Sequence, residues 1–494
     1  YMNKITNCYE ETLEEIVYYP EGKVNYLTNS SGLKQVYTYD KAKKKTGVQE
    51  FDGDNLVKTY KYDYDEKYAV TKNIVETDGK TYEVDKITYS MIDGKNKYDE
   101  IAESVDIMGN VTKYERDGNG NVIKTINPDG TYTLARYNDK NSPLIKVDEN
   151  KNVKLYKYGL NGTTLLEEYQ SLNPVSNADA LVENTGNTFD FSQINTDEYA
   201  ITSYVYYEYS EDASTKIAGL IKKITDPEGN VTEYEYYESG IANGLPSKKW
   251  IYKINEKNEE KCTQYFYNDQ LQVSKEISPE GYVKEYKYDK FNNITEIQDK
   301  GRDGSTAITS KTEYDLLGRK IKEISPNYAA TEEKYTSYVY NPDNSVKSET
   351  NAEGYTTSYI YDAYGNIIKK INPDGTQNIT KYDGLQREIS TAFKSSETGY
   401  EQVLTSTSYE FVKNYNFEIY KDLDTLADAT QACSGLKTIK LTHIEEGKSV
   451  KTEIFTDFRG NTITEKTNDK VKRTNAYYAN GQLRSQTDAK GYTT

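Results

Sequence analysis

The stretch Asn351-Ala-Glu-Gly354-Tyr-Thr-Thr-Ser-Tyr359-Ile-Tyr361-Asp362-Ala-Tyr-Gly365-Asn366-Ile-Ile-Lys-Lys-Ile371-Asn372-Pro373-Asp374-Gly375 holds one full unit of the pattern that decides the fold. Gly354 and Gly375 lie 21 residues apart, and Tyr340, Tyr361 and Tyr382 keep the same step. In Tyr359-Ile-Tyr361 the rings fall at i and i+2, the period at which a strand returns side chains to one face. Asn372-Pro373-Asp374-Gly375 puts Pro where φ is preset and Gly where φ turns positive, which predicts a type I turn followed by a bulge. Asp362-Ala-Tyr-Gly365, followed by Asn366, uses the same logic, with an Asp carboxylate able to accept N–H groups inside its own turn. Two such turns leave about six residues for each strand, a common strand length. The expected product is an antiparallel meander that keeps adding hairpins to one sheet, twisting and curling as it grows.

Further copies spread along the chain. Tyr286-Lys-Tyr288-Asp289, Tyr314-Asp315-Leu-Leu-Gly318-Arg319 and Tyr382-Asp383 repeat the same elements, with looser versions at Tyr37-Thr-Tyr39-Asp40 and Tyr60-Lys-Tyr62-Asp63. Pro-Asp/Glu-Gly turns recur at Pro128, Pro227 and Pro279. The step stretches to 26 between Tyr288 and Tyr314 and returns to 21 between Gly460 and Gly481. An imperfect period of this length marks a stacked or coiled repeat architecture, so the 494 residues are expected to form a single array, 1–494, rather than several unrelated domains. Two segments interrupt it. Residues 159–199, rich in Asn, Thr, Ser and Asp, read as an irregular insertion and a surface excursion. Residues 415–436 read as a second insertion, in which the run from Asp422 to Ala432, followed by Gly435, predicts a short helix.

Composition narrows the function. Leu, Ile, Val and Phe together make just under about 20% of the chain, a level at which a strongly charged sequence tends towards disorder. The 51 tyrosines supply the missing apolar area, since each ring can bury on the order of 150 Å² while its hydroxyl stays hydrogen-bonded. With 62 Lys plus Arg against 79 Asp plus Glu, the net charge of −17 argues against binding nucleic acid. One histidine, His443, and three scattered cysteines, Cys8, Cys262 and Cys433, provide neither a zinc site nor a disulfide framework. His443 sits in the alternating run Lys440-Leu-Thr-His443-Ile444 and reads as an ordinary strand residue. Asp117-Gly-Asn119-Gly-Asn121 has the spacing of a calcium loop, but its twelfth position is Pro128 where a bidentate Glu is needed, so it reads as a turn, as does Asp52-Gly53-Asp54-Asn55. Carboxylates recur at turns rather than as a singular pair, so no catalytic residue, metal ligand or cofactor is expected. Trp250 is the only tryptophan, and the tyrosines read as cross-strand packing rather than sugar-stacking platforms. The chain has no apolar run long enough for a membrane span and no targeting signal.

The Tyr-x-Tyr-Asp-x-x-Gly-Asn/Arg pattern alternating with Pro-Asp/Glu-Gly is clearest at residues 279–297, 311–326 and 351–387. It resembles the YD repeat of Rhs (rearrangement hotspot) proteins, bacterial wall-associated proteins and the teneurin shell. On this resemblance the repeat-defining residues are Tyr286, Tyr288, Asp289, Tyr314, Asp315, Gly318, Arg319, Gly354, Tyr359, Tyr361, Asp362, Gly365, Asn366, Pro373, Asp374, Gly375, Tyr382 and Asp383. The resemblance implies an all-β strip that spirals into a hollow shell, which in bacterial relatives encloses a C-terminal toxin or other cargo of the same polypeptide. The expected role is a non-enzymatic shell, secreted or at the bacterial cell wall, that encapsulates and presents such cargo for delivery to neighbouring cells. The alternative is a cell-surface adhesin or carbohydrate-binding scaffold, with cell-wall glycan or a target-cell surface as partner. The Rhs core of the bacterial shells, with its Asp-Pro-x-Gly stretch, has no counterpart here, and Asp488-Ala-Lys-Gly491-Tyr-Thr-Thr494 reproduces the opening of a unit. An internal piece of a larger protein is therefore expected.

Overall fold

A computed structural model of the protein describes residues 2–42, 44–64, 70–92, 95–183, 186–208, 217–302, 307–328, 330–415, 433–445 and 447–494. Among these are 37 strands, one short helix at Ala178–Val182 and three 3₁₀ turns, so the fold class is all-β. Each described pairing is antiparallel and joins strands adjacent in the chain, as in Val283–Tyr288 with Ile294–Lys300 or Thr356–Tyr361 with Ile367–Ile371. The chain divides into two compact units: residues 1–132, 339–349 and 355–494 form the first, and residues 133–338 with 350–354 the second. Both use the same hairpin.

The turn at Asp362 shows why the hairpin forms. Asp362 N–H donates to the Asn366 carbonyl at 3.0 Å, and Gly365 N–H closes the turn on the Asp362 carbonyl at 3.1 Å. The Asp362 carboxylate accepts the N–H groups of Tyr364 (3.0 Å) and Asn366 (2.9 Å) and the Asn366 side-chain amide (2.9 Å). Gly365 sits at φ 88°, a region that L side chains enter at a cost. The strand register then slips between Ile360 and Tyr361, which is the expected bulge. Asp289, Asp315 and Asp383 organise their turns alike, with Arg319 and Arg387 taking the place of Asn on the last two carboxylates. Asp117-Gly-Asn119-Gly-Asn121 is the same turn, and Asp52–Asn55 is a tight hairpin link in which those two residues pair.

The tyrosine that precedes the turn has a specific duty. Val273–Ile277 and Val283–Tyr288 pair only as far as Lys275↔Glu285, so the ladder opens towards the turn edge. Tyr288 bridges the opening by donating its hydroxyl to the Val273 carbonyl at 2.7 Å. Tyr236 does the same to Ile221 (2.8 Å), Tyr361 to Val346 (2.8 Å) and Tyr477 to Thr462 (2.9 Å), and every acceptor is the first residue of the preceding strand. Tyr382 reaches Ile367 more loosely, at 3.5 Å. Phe could fill the same space but would leave that carbonyl unpaired.

Alternation gives the sheet two unlike faces. The residue between paired tyrosines points away from them, and charged residues there meet an opposite charge directly across the ladder in pairs such as Lys287 with Glu296 at 2.8 Å and Glu235 with Lys248 at 3.0 Å; Glu313, just before Tyr314, meets Lys322 at 3.0 Å in the same way. Both faces meet solvent, and few of the described residues of either unit are fully buried. The sheet is mostly one layer thick.

The second unit departs from that in one place. The segment read as an irregular excursion, 159–199, contains a regular repeat strand, Leu165–Ser171, paired on both sides. The remainder folds inward rather than out: Ala178, Leu181 and Phe189 are buried against Ile145, Val147, Val153, Leu155, Tyr169 and Tyr199. Val153 and Leu155 lie on the charged face, the side of Lys157, so this segment is a lid that turns a wet face into a core. Its apolar residues are too irregularly spaced to show a period, which is why the sequence reads as loop. The residues of the second insertion between 416 and 432, including the helix expected from Asp422 to Ala432, lie outside the described residues; Gln402–Tyr415 and Cys433–Glu445 flank them as paired strands.

Replacing Tyr288 with Phe is expected to cost about 1 kcal/mol, the worth of one hydrogen bond with its acceptor left behind. Trp250, only 2% exposed in the second unit, provides the fluorescence signal for urea unfolding of the variant.

Candidate functional site

The repeat-defining residues do not converge on a pocket; they line the two long edges of the strip. Asp289, Asp315, Asp362 and Asp383 turn the chain on one edge, here the Tyr-Asp edge, while Gly354 and Pro373-Asp374-Gly375 turn it on the opposite edge. Tyr286, Tyr288, Tyr314, Tyr359, Tyr361 and Tyr382 stand in the strands leading to the first edge. Neighbouring turns also bond along the edge, as where the Asn366 amide donates to Gln386 Oε1 at 2.5 Å.

Within the first unit the two edges meet. Turns on the Tyr-Asp edge of the late repeats sit against strands and opposite-edge turns of the early repeats. Ser31 Oγ donates to the Ala363 carbonyl at 2.8 Å, Gly384 N–H to Asp78 Oδ2 at 2.8 Å, and Arg459 to Asp129 Oδ2 at 2.8 Å and Thr131 Oγ1 at 3.2 Å. Tyr364 donates to Glu50 Oε2 at 3.1 Å while its ring lies 5.1 Å from Lys58 Nζ. Glu50 and Lys58 are both buried and 4.0 Å apart. Tyr82 and Phe411 add an edge-to-face aromatic pair at 6.0 Å. These partners are 306 to 332 residues apart in sequence for the Gly384, Tyr364, Arg459 and Ser31 bonds, and they advance together along the chain. Gly384 is needed for its size: a Cβ there would overlap the Thr77 side chain.

Burial and charge set the electrostatics. Burial first, then Glu50, pushes the Tyr60 hydroxyl up to about 12, and burial followed by Glu276 does the same for Tyr286. Tyr156 and Tyr267 are raised to about 12, again chiefly by burial. On the turns, the Asn293 amide holds the Asp289 carboxyl below the ordinary carboxylate range, and the Asn230 amide does so for Asp226.

The other sequence candidates are occupied by structure. His443 bridges Ser406 Oγ (3.0 Å) and Ser449 Oγ (2.8 Å) on neighbouring strands, which uses both ring nitrogens. Cys262 is buried opposite Trp250, and burial raises its thiol pKa. Among the described residues no group of three or more His, Cys, Asp or Glu side chains is placed to hold a metal ion. No helix among them is long and apolar enough to cross a membrane. The edge-to-edge contacts have no sequence signal of their own, because they depend on how far the strip curls before it meets itself.

A strip of tyrosine-braced hairpins whose edge turns seat against its own earlier turns defines a coiled β-repeat protein. The RHS repeat family model matches residues 340–377. No curated protein sequence matches the chain. Its fold is similar to a chain of the Photorhabdus luminescens Tc holotoxin pore, with a TM-score of 0.58 and 14% identity over 96% of this chain. It is similar also to a chain in the crystal structure of TcdB2-TccC3-Cdc42, with a TM-score of 0.60 and again 14% identity over 96% of this chain. The protein spans 24% of the length of each of those chains. At this identity the likeness is one of fold.

Two outcomes are expected. Gly384→Val should destabilise the first unit by about 1–3 kcal/mol, the usual cost of overpacking, read from urea unfolding. The raised tyrosines stabilise the fold below the unfolded-state value near 10, and that contribution is lost as pH rises through about 12. Absorbance at 295 nm should therefore show a class of tyrosines ionising together with alkaline unfolding between those limits.

Proposed function

We propose that this chain is wall material: a non-enzymatic part of a secreted or cell-surface bacterial RHS shell that encloses a tethered C-terminal polypeptide, such as a toxin, and presents it for delivery to neighbouring cells. The observation that carries this reading is the seating of late edge turns on early ones across more than 300 residues in the first unit. A strip that bonds edge to edge becomes a continuous surface, and a continuous one-layer surface is suited to separating one side from the other rather than to housing a reaction. The fold likeness to Tc toxin chains supports the reading, as does the engagement of His443 and the turn carboxylates in holding the sheet together. Two-faced sheets also explain the composition: tyrosine provides burial on one face, and cross-strand ion pairs keep the other soluble.

Limited proteolysis of the natural gene product tests this. Any segment beyond the repeats is expected to resist protease while the sheet is intact and to be digested once alkaline pH opens it. Digestion of that segment at the rate of the isolated peptide, with the repeats still folded, would overturn the enclosure.

A further inference from the structure

We propose that a cleft in the first unit is a binding site for a small organic polyanion, one that carries two or more phosphate or carboxylate charges on a flat ring. The cleft, of about 680 Å³, lies between the start of the strand Lys80–Ile92 and the turn after Asp106 on one side and the later part of the strand Gln402–Tyr415 on the other. Its size is ordinary for a ligand site. Both walls are strand edges without a ladder neighbour at this point. Lys80–Ile92 meets Lys95–Asp106 only from Asp85 onward, and Gln402–Tyr415 meets Glu388–Lys394 only as far as Ser406. Lys80, Lys86 and Lys413 line the space between them. None of the three has an ion-pair partner among the described residues, in a sheet whose lysines commonly pair with a carboxylate on a neighbouring strand.

The carboxylates that border the cleft do not neutralise these lysines. Asp106 is taken by its own turn, where it accepts the Met108 and Asn110 N–H groups and the Asn110 amide, each at 2.9 Å. Glu83 pairs with Lys72 at 2.5 Å, and Glu410 stands directly across its ladder from Lys437. Lys86 also stands directly across from Lys72, two like charges whose repulsion a bound anion relieves. Lys413 reaches over the cleft: its Nζ lies 3.1 Å from where a Cβ on Gly109 would sit, so the glycine leaves the ammonium its place. Lysines that guard a bare strand edge against aggregation are ordinary where the edge faces open solvent. These three instead converge on a concave space with an aromatic wall, where Tyr82 and Phe411 meet edge to face at 6.0 Å. Ring surface beside uncompensated ammonium groups suits a ligand with a planar part and an anionic part. A small anion responds to charges within a screening length of about 8 Å. The net charge of −17 therefore weighs against long polyanions more than against this ligand. The inference stands independently of what the wall encloses.

Isothermal titration of the 494-residue chain tests it, with magnesium-free adenosine triphosphate and benzene hexacarboxylate as ring-bearing polyanions, tripolyphosphate as the charge alone and adenosine as the ring alone. At least one ring-bearing polyanion is expected to bind at a single site, tripolyphosphate several-fold more weakly, and adenosine not at all. The double variant Lys80→Ala with Lys413→Ala removes two exposed side chains and should weaken that binding several-fold. Lys154→Ala with Lys290→Ala, in the second unit, should leave it unchanged. Binding of neither ring-bearing probe would overturn the site, and equal losses in the two double variants would reduce it to general surface charge and overturn it likewise. Tripolyphosphate binding as tightly as either ring-bearing probe would overturn the part given to the aromatic wall. Tighter capture of a polyglutamate peptide than of any small probe would assign the cleft to a polypeptide and overturn the small ligand.

Discussion

A sheet one layer thick has no second layer to bury against, and the rest of this structure answers that constraint. Backbone ladders run along the strip, but ahead of turns such as those after Tyr236, Tyr288, Tyr361 and Tyr477 the neighbouring strand pair splays and would leave a carbonyl without a partner. The hydroxyl of the tyrosine before the turn takes that carbonyl, while its ring covers apolar area on the same face. One side chain thus does two jobs that Phe or Ser could do only singly, which favours tyrosine at this position of the repeat.

The same constraint explains the ends of the strands. An open strip has two long edges of turns, and in the first unit these edges meet. The contacts are mixed in kind: a backbone N–H on Asp78, a guanidinium on Asp129, a tyrosine hydroxyl on the buried Glu50, and an aromatic pair. None is large alone. Their value lies in repetition along a shared edge, where each seated turn fixes the register for the next. In the second unit the lid formed by Ala178, Leu181 and Phe189 meets the constraint differently, by laying a true core on the charged face.

Much of this was legible in the sequence, and the part that was not has a common cause. Pro373-Asp374-Gly375 and Asp362 through Asn366 announced their turns because local chemistry alone determines them, and Tyr359-Ile-Tyr361 announced its strand by period. The lid was misread as a surface excursion because Leu181, Phe189 and Phe191 have no period, and their burial depends on Ile145 and Val153 some thirty to forty residues earlier. The partnership of Gly384 with Asp78 could not be read at all, since both look like ordinary turn residues and only the accumulated curl of the strip brings them together. Asp117-Gly-Asn119-Gly-Asn121 forms the repeat's own turn, its Asp117 carboxylate accepting the Asn119 and Asn121 N–H groups, which local chemistry again determines.

The central claim is that edge seats on edge, and the Gly384 amide reports it most directly. Its N–H donates to Asp78 across 306 residues at 2.8 Å. Site-resolved hydrogen exchange in the native chain and in Asp78→Ala is the decisive measurement. The account predicts a protected Gly384 amide in the native chain and rapid exchange in the variant, with the Ile379 and Ala392 amides of the adjacent ladder unchanged. A Gly384 amide that exchanges freely in the native chain would contradict it.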